Sequence, residues 1–311
     1  MMVPAALLLL GVLTALVAPR LLARARWPER EPVVALWLWQ CVVGAVLLSF
    51  ALSMVLSAAA AWEAVRGRLF ATAPHGVVEA YALGPGGAWA TVTALGLAAA
   101  GVWSGAMLVR EVARARRRLR LRHAELRERA PLLPGEEPGG ERLVVLEAPR
   151  AGAWWLSGPA PQLVVTTAAL RRLKGRQLDA VFAHEQGHAA ARHDWLLHCA
   201  EALAGGFPQV PVFEAFREEM HRLVELAADD AASRRYGRLT IALALVGLNE
   251  DRGTFGPCAH PQAHVPERVR RLLSAPARLP ARRRLLLTAA ALLVPAVPVA
   301  VALVPGLSAL S

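Results

Sequence analysis

Four stretches of this chain leave little choice of environment. Residues 3–17 (extendable past Arg20 to 22), 33–61, 88–109 and 285–307 are apolar runs with no charge until their ends. About 20 such residues, rising 1.5 Å each as a helix, cross a hydrocarbon core of roughly 30 Å. Helices close their own backbone hydrogen bonds, which a bilayer core cannot do for them. Four membrane-spanning helices are therefore predicted. The second run exceeds the need and predicts tilt or an interfacial turn. Pro295, Pro298 and Pro305 predict a kink in the last. The first run starts MMVPAALLLL, without the basic residues that open a secretory signal, so it reads as a retained helix.

Basic residues orient the bundle. Arg20, Arg24, Arg26 and Arg30 follow the first run, and Arg110, Arg114, Arg116, Arg117, Arg118, Arg120 and Arg122 follow the third. Arg278, Arg282, Arg283 and Arg284 precede the fourth. The connection between the second and third has Arg66 and Arg68 balanced by Glu63 and Glu79. This pattern predicts a cell-membrane protein with its N-terminus outside and the long segment from about 110 to 284 in the cytoplasm. Much of the net charge of +11 lies in these flanks. They suit anionic headgroups, and no DNA-reading fold accompanies them, so the bilayer is the expected partner and nucleic acid is not. Cys41, Cys199 and Cys258 form no paired framework, as suits a reducing compartment.

The cytoplasmic segment divides by composition. Residues 1–110 hold the first three spans and short loops; 111–141 read as an Arg-rich juxtamembrane helix followed by the linker RAPLLPGEEPGGE. Residues 142–280 form the candidate catalytic domain, and 281–311 the last span with a short outside tail. Within the domain, ERLVVLEA and QLVVTTAALRRL read as short strands with AWWLSG between them. Helices follow over 175–195, 212–236, 240–248 and 265–273. A small sheet leading into helices is an α+β arrangement.

The chemistry concentrates in AVFAHEQGHAAARHDW, residues 180–195. On a helix His184 and His188 project from one face about 6 Å apart along the axis. Both imidazoles can then reach one Zn²⁺. Glu185, about 100° round, sits beside such a metal as a base for water. A catalytic zinc needs a third protein ligand, and HRLVELAADDAA supplies Glu225, with Asp229 one turn on as hydrogen-bond partner of a ligating histidine. One zinc per chain is expected. On a continuous helix His193 points away from His184 and reads as a surface residue, His198 as a bystander. His221, one turn before Glu225, could approach the site. Tyr236, His260, His264 and Arg268 are candidate oxyanion or substrate groups. Between the histidines and Glu225 lies the apolar WLLHCAEALAGGFPQVPVF. A crossing there would put Glu225 on the wrong side, so this stretch is expected to dip against the membrane or pack under the bundle without traversing.

These motifs resemble those of membrane gluzincin peptidases. LVVTTAALRRLKGRQLDAVFAHEQGHAAARHDWL is similar to their strand, loop and active-site helix, and FPQVPVFEAFREEMHRLVELAADDAA to the segment with the third ligand. Two families compete. The F-P-x-x-P turn, Asp194 and the three-plus-one layout of spans favour the BlaR1/MecR1-like peptidases of family M56. The E-x-x-A-D wording is shared with the HtpX/Ste24-like peptidases of family M48. The fold implied is a multi-pass α-helical membrane protein carrying a cytoplasmic α+β zincin domain. The activity implied is zinc-dependent endopeptidase action on a protein substrate, with His184, His188 and Glu225 as ligands and Glu185 as base. The M56 likeness implies a signalling protease acting on a transcriptional repressor, and since the chain stops at Ser311 no β-lactam sensor is expected. The M48 likeness implies quality control of membrane proteins. A non-enzymatic alternative is a transmembrane scaffold with a structural zinc, for which Glu185 would have no use.

Overall fold

The computed structural model describes residues 2–66, 88–129, 142–156, 161–249 and 265–308. Helices α1 (Met2–Ala23) and α2 (Pro32–Arg66) are joined by a 3-10 turn at Trp27–Glu29. They pack antiparallel: Ser53 Oγ donates to the Pro4 carbonyl at 2.9 Å, and Gly11 lies against Ser49 and Phe50. Helix α3 (Ala88–Arg129) and, at the far end of the chain, helix α10 (Ala281–Ser308) also pack on α2. Among the described residues three segments, Met2–Ala23, Pro32–Ala59 and Ala281–Leu307, are long and apolar enough to cross a membrane. The remaining predicted span, 88–109, forms the first half of α3, which continues unbroken into the Arg-rich stretch. Arg114, Arg116, Arg117, Arg118 and Arg120 are exposed there.

The sheet has three strands, β1 (Arg142–Leu146), β2 (Ala153–Leu156) and β3 (Gln162–Thr166), in the order β1-β3-β2. β3 is parallel to β1 and antiparallel to β2. Its Val164 and Val165 are fully buried, as a central strand's β-branched residues should be. AWWL thus forms a strand of its own at the edge of the sheet. Thr166 ends β3 and starts helix α4 (Thr167–Arg172), its hydroxyl accepting the Ala169 N–H as an N-cap.

Helix α5 (Arg176–Ala190) carries the H-E-x-x-H motif and ends sooner than the spacing predicts. Arg192 takes the left-handed conformation at φ 51° and ψ 40°, and a new helix, α6 (His193–Gly206), begins in a different direction. The break falls where only Gly would be at ease, so sequence offers no signal for it. After the turn at 207–210, Pro211 opens the long helix α7 (Pro211–Tyr236), a position where its missing N–H costs nothing. Helices α8 (Arg238–Asn249) and α9 (Val265–Ser274) complete the domain.

Helices α6 and α7 form a hairpin. Phe207 stacks near Phe213, with ring centroids 5.8 Å apart, while Glu201 meets His221 at 3.0 Å. The pairing runs antiparallel, and the 14 residues of α6 reach only about 21 Å, short of a crossing. The chain therefore turns back on itself between α6 and α7. Its apolar face joins α1 and α2 in one core: Trp39 and Phe216 pack 6.3 Å apart, with Val42, Val46, Leu203, Phe213 and Met220 buried around them. Membrane-type helices and site helices thus share a hydrophobic cluster.

Candidate metal centre

Helix α5 lies along α7 at a seam of small side chains. A Cβ on Gly187 would already touch Ala231 and Ala228, so any larger residue would wedge the helices apart. This approach brings His184 and His188 from α5 against Glu225 from α7. His184 Nε2 and His188 Nε2 are 3.1 Å apart, and each lies 3.4 Å from a Glu225 carboxylate oxygen. A tetrahedral zinc with ligands near 2.05 Å has edges of about 3.3 Å. The two contacts with Glu225 run to different oxygens, Oε2 from His184 and Oε1 from His188. The three groups form a triangle whose ligand atoms lie within 4.8 Å of one another, with the donor chemistry that zinc takes, so the residues fit that metal.

Behind the triangle, Asp229 is completely buried, and its Oδ1 lies 3.1 Å from His184 Nδ1. That contact leaves Nε2 to face the metal position. Arg268 of α9, only 4% exposed, grips Asp229 with Nε at 2.8 Å and Nη2 at 2.7 Å, and its Nη1 lies 2.7 Å from Glu225 Oε2. The candidate oxyanion group Arg268 therefore stands on the buried side of the ligands, spending its fork on two carboxylates. Tyr236 sits 11 residues beyond Glu225, about 16 Å along α7. It packs with Ala180, Ala232 and Ile241 instead of entering the site. His260 and His264 lie outside the described residues. His221 turns to Glu201, away from the triangle, and Asp230 pairs with Arg271.

His193 corrects the surface assignment. It is 5% exposed, and its Nδ1 lies 3.1 Å from His188 Nδ1. The left-handed turn at Arg192 swings it back against α5, which a continuous helix would not allow. It serves His188 as Asp229 serves His184, holding the ring from behind. We expect His193→Ala to weaken zinc binding roughly 10- to 100-fold, measured by chelator competition.

Glu185 is 6% exposed, and the Trp155 N–H of β2 donates to its Oε2 at 3.0 Å. Burial pushes its carboxyl up to about 7, against the opposing pull of His184. A group poised there exchanges protons near neutrality. The other ionisable groups separate sharply. Burial works against a proton on His184, yet Asp229 and Glu225 outweigh it and push the pKa up to about 10. Burial lowers His188 to about 3 and His193 to about 4. Burial would raise Asp229, but Arg268 and His184 hold it down to about 2, and Arg268 with His188 likewise keeps Glu225 well below the usual range.

The metal-free site thus holds a proton on His184 at neutral pH, and a metal ligand must be neutral. Zinc entry at pH 8 should release about one proton, read by calorimetry in buffers of differing ionisation enthalpy. Affinity should weaken about tenfold per unit as pH falls from 10 towards 7, where the proton competes for His184, and more steeply below 7, where Glu185 also takes up a proton that a bound cation disfavours.

Residues 123–205 match the family model of peptidase family M48. The matched segment takes in the three strands, α5 and most of α6, and so His184, Glu185 and His188, while Glu225 lies beyond it. It supports a metallopeptidase and falls on the second of the two families that the motifs resemble; the preference for M56 gains nothing from it. No curated protein and no solved structure matches the chain.

Proposed function

We propose that this protein is a membrane-embedded, zinc-dependent endopeptidase of the HtpX-like kind, cutting membrane proteins at the cytoplasmic face. The observation that carries this is the His184–His188–Glu225 triangle with Glu185 anchored beside it, on a segment that matches family M48. Zinc held by those three residues would acidify a water molecule and polarise the scissile carbonyl. Glu185 takes the proton from the attacking water and passes it to the leaving amine. Asp229 and His193 hold the two imidazoles from behind, and Arg268 keeps Glu225 and Asp229 ionised. Strand β2 is an edge strand against α5, so an extended substrate can add to the sheet beside Glu185. The basic flanks support a topology with the N-terminus outside and this domain in the cytoplasm.

A survey of protein N-termini in cells carrying wild type or Glu185→Gln under envelope stress tests the role. Loss of many membrane-protein fragments in the variant is the expected result. Loss of one cleaved soluble DNA-binding protein would replace quality control with repressor signalling. Identical profiles would favour a scaffold.

A further inference from the structure

Arg268 and Arg271 sit one turn apart on α9 and hold adjacent carboxylates of α7, Asp229 and Asp230. The second pair has no part in the chemistry described above. Arg271 is 8% exposed, and its Nη1 and Nη2 donate to Asp230 Oδ1 and Oδ2, both at 2.9 Å. Its Nε donates to the Glu29 carbonyl at 2.6 Å. Glu29 ends the 3-10 turn between α1 and α2. One guanidinium therefore joins three pieces: α9, the helix carrying Glu225, and the connection between two membrane-type helices. The same connection is gripped again two residues on. Glu31, 8% exposed, accepts the Leu279 N–H at 3.2 Å and lies 3.9 Å from Arg284 Nε at the start of α10.

We propose that Arg271 is a positioning residue that sets the zinc-ligand helix against the α1–α2 connection. Asp230 lies five residues beyond Glu225, about 7.5 Å along α7. Helix α7 meets α1 and α2 through an apolar cluster around Trp39 and Phe216, whose contacts are non-directional. The Arg271 fork adds a directed tie. Lysine has one donor head and cannot span a bidentate carboxylate and a carbonyl together. Without the tie Glu225 drifts from the triangle, and displacements near 1 Å can cost about 100-fold in rate.

The inference rests on the peptidase reading, and the test separates the two. Full-length wild type, Arg271→Gln, Arg271→Lys, Asp230→Asn and the Asp230→Asn/Arg271→Gln double variant are purified in detergent and loaded with Co²⁺. The visible absorption of Co²⁺ reports ligand geometry whether or not the protein cleaves anything. The band should shift in all four variants at equal metal content, and the double variant should look no worse than Arg271→Gln, since both changes break one tie. With zinc, cleavage of labelled casein should fall roughly 10- to 100-fold in kcat with KM within about twofold. A charge swap, Asp230→Arg with Arg271→Asp, restores an ion pair but offers no donor to the Glu29 carbonyl, so it should remain impaired. If Arg271→Gln does not fold, Asp230→Asn and Arg271→Lys decide by the same band. An unshifted Co²⁺ band in the folded variants, or full recovery in the swap, overturns the proposal. Equal casein cleavage by wild type and Glu185→Gln would instead overturn the peptidase reading and leave the Co²⁺ result to judge Arg271.

Discussion

Glu185→Gln should lower proteolysis by roughly 10²- to 10⁴-fold while the protein still binds one zinc. Glutamine keeps the size of the side chain, and its amide oxygen can still accept the Trp155 N–H. It cannot take a proton. None of the three candidate ligands is touched, so metal affinity should change little. The comparison that matters is with His188→Ala, which should lose activity and zinc together. A variant that keeps zinc and loses catalysis assigns Glu185 to the reaction and not to the metal. The wild-type rate should rise with pH as Glu185 ionises. Its carboxyl stands near 7 without metal, and a bound cation favours the charged form, so the ascending limb should lie below 7 in the zinc-loaded enzyme.

Arg268→Met should be the most damaging single change outside the ligands. Arg268 is the buried cation facing Asp229, which is fully buried, and Glu225, whose side chain is 27% exposed. Removing it takes from the buried Asp229 its main cationic partner, at a cost of about 3–5 kcal/mol. Denaturant unfolding in detergent would read this loss. Zinc supplies positive charge at the same carboxylates, so metal should recover more stability in the variant than in wild type. The pH dependence should also flatten at the acid end. In wild type Asp229 is held down to about 2, so its contribution is present above its ordinary value of 3.8 and lost as pH falls through 2. Without Arg268 only His184 opposes burial, so the carboxyl rises from about 2 and contributes less. The gap between the two proteins should therefore narrow as pH falls from 3.8 through 2, where wild type gives up the larger contribution.

What could be read from residues alone follows physical locality. Spans and the histidine pair are local patterns, set by apolar run length and by four-residue spacing; α1, α2 and α10 stand where those patterns put them, and α5 carries the histidine pair but stops at Ala190. Glu225 and Asp229 were legible for the same reason, as one turn of one helix. The return of the α6–α7 hairpin followed from Gly205, Gly206, Pro208 and Pro211 together with the need to bring Glu225 to the histidines. His193 was missed because a left-handed arginine ends α5, and nothing in AAARHD distinguishes that break from helix. Arg268 was singled out, but its role was not. Its partners lie 39 and 43 positions away, and only folding reveals that it faces the carboxylates and not the substrate. The tie from Arg271 to Glu29 spans 242 positions and leaves no local trace.

The most direct test of the central claim is elemental analysis of the purified full-length protein, set beside its His184→Ala, His188→Ala and Glu225→Ala variants. The account predicts one zinc per wild-type chain, loss of tightly held zinc in each variant, and retention in His221→Ala, whose ring turns to Glu201. Wild-type protein that folds and takes up no zinc, or variants that keep it, would contradict a metal centre built on the triangle.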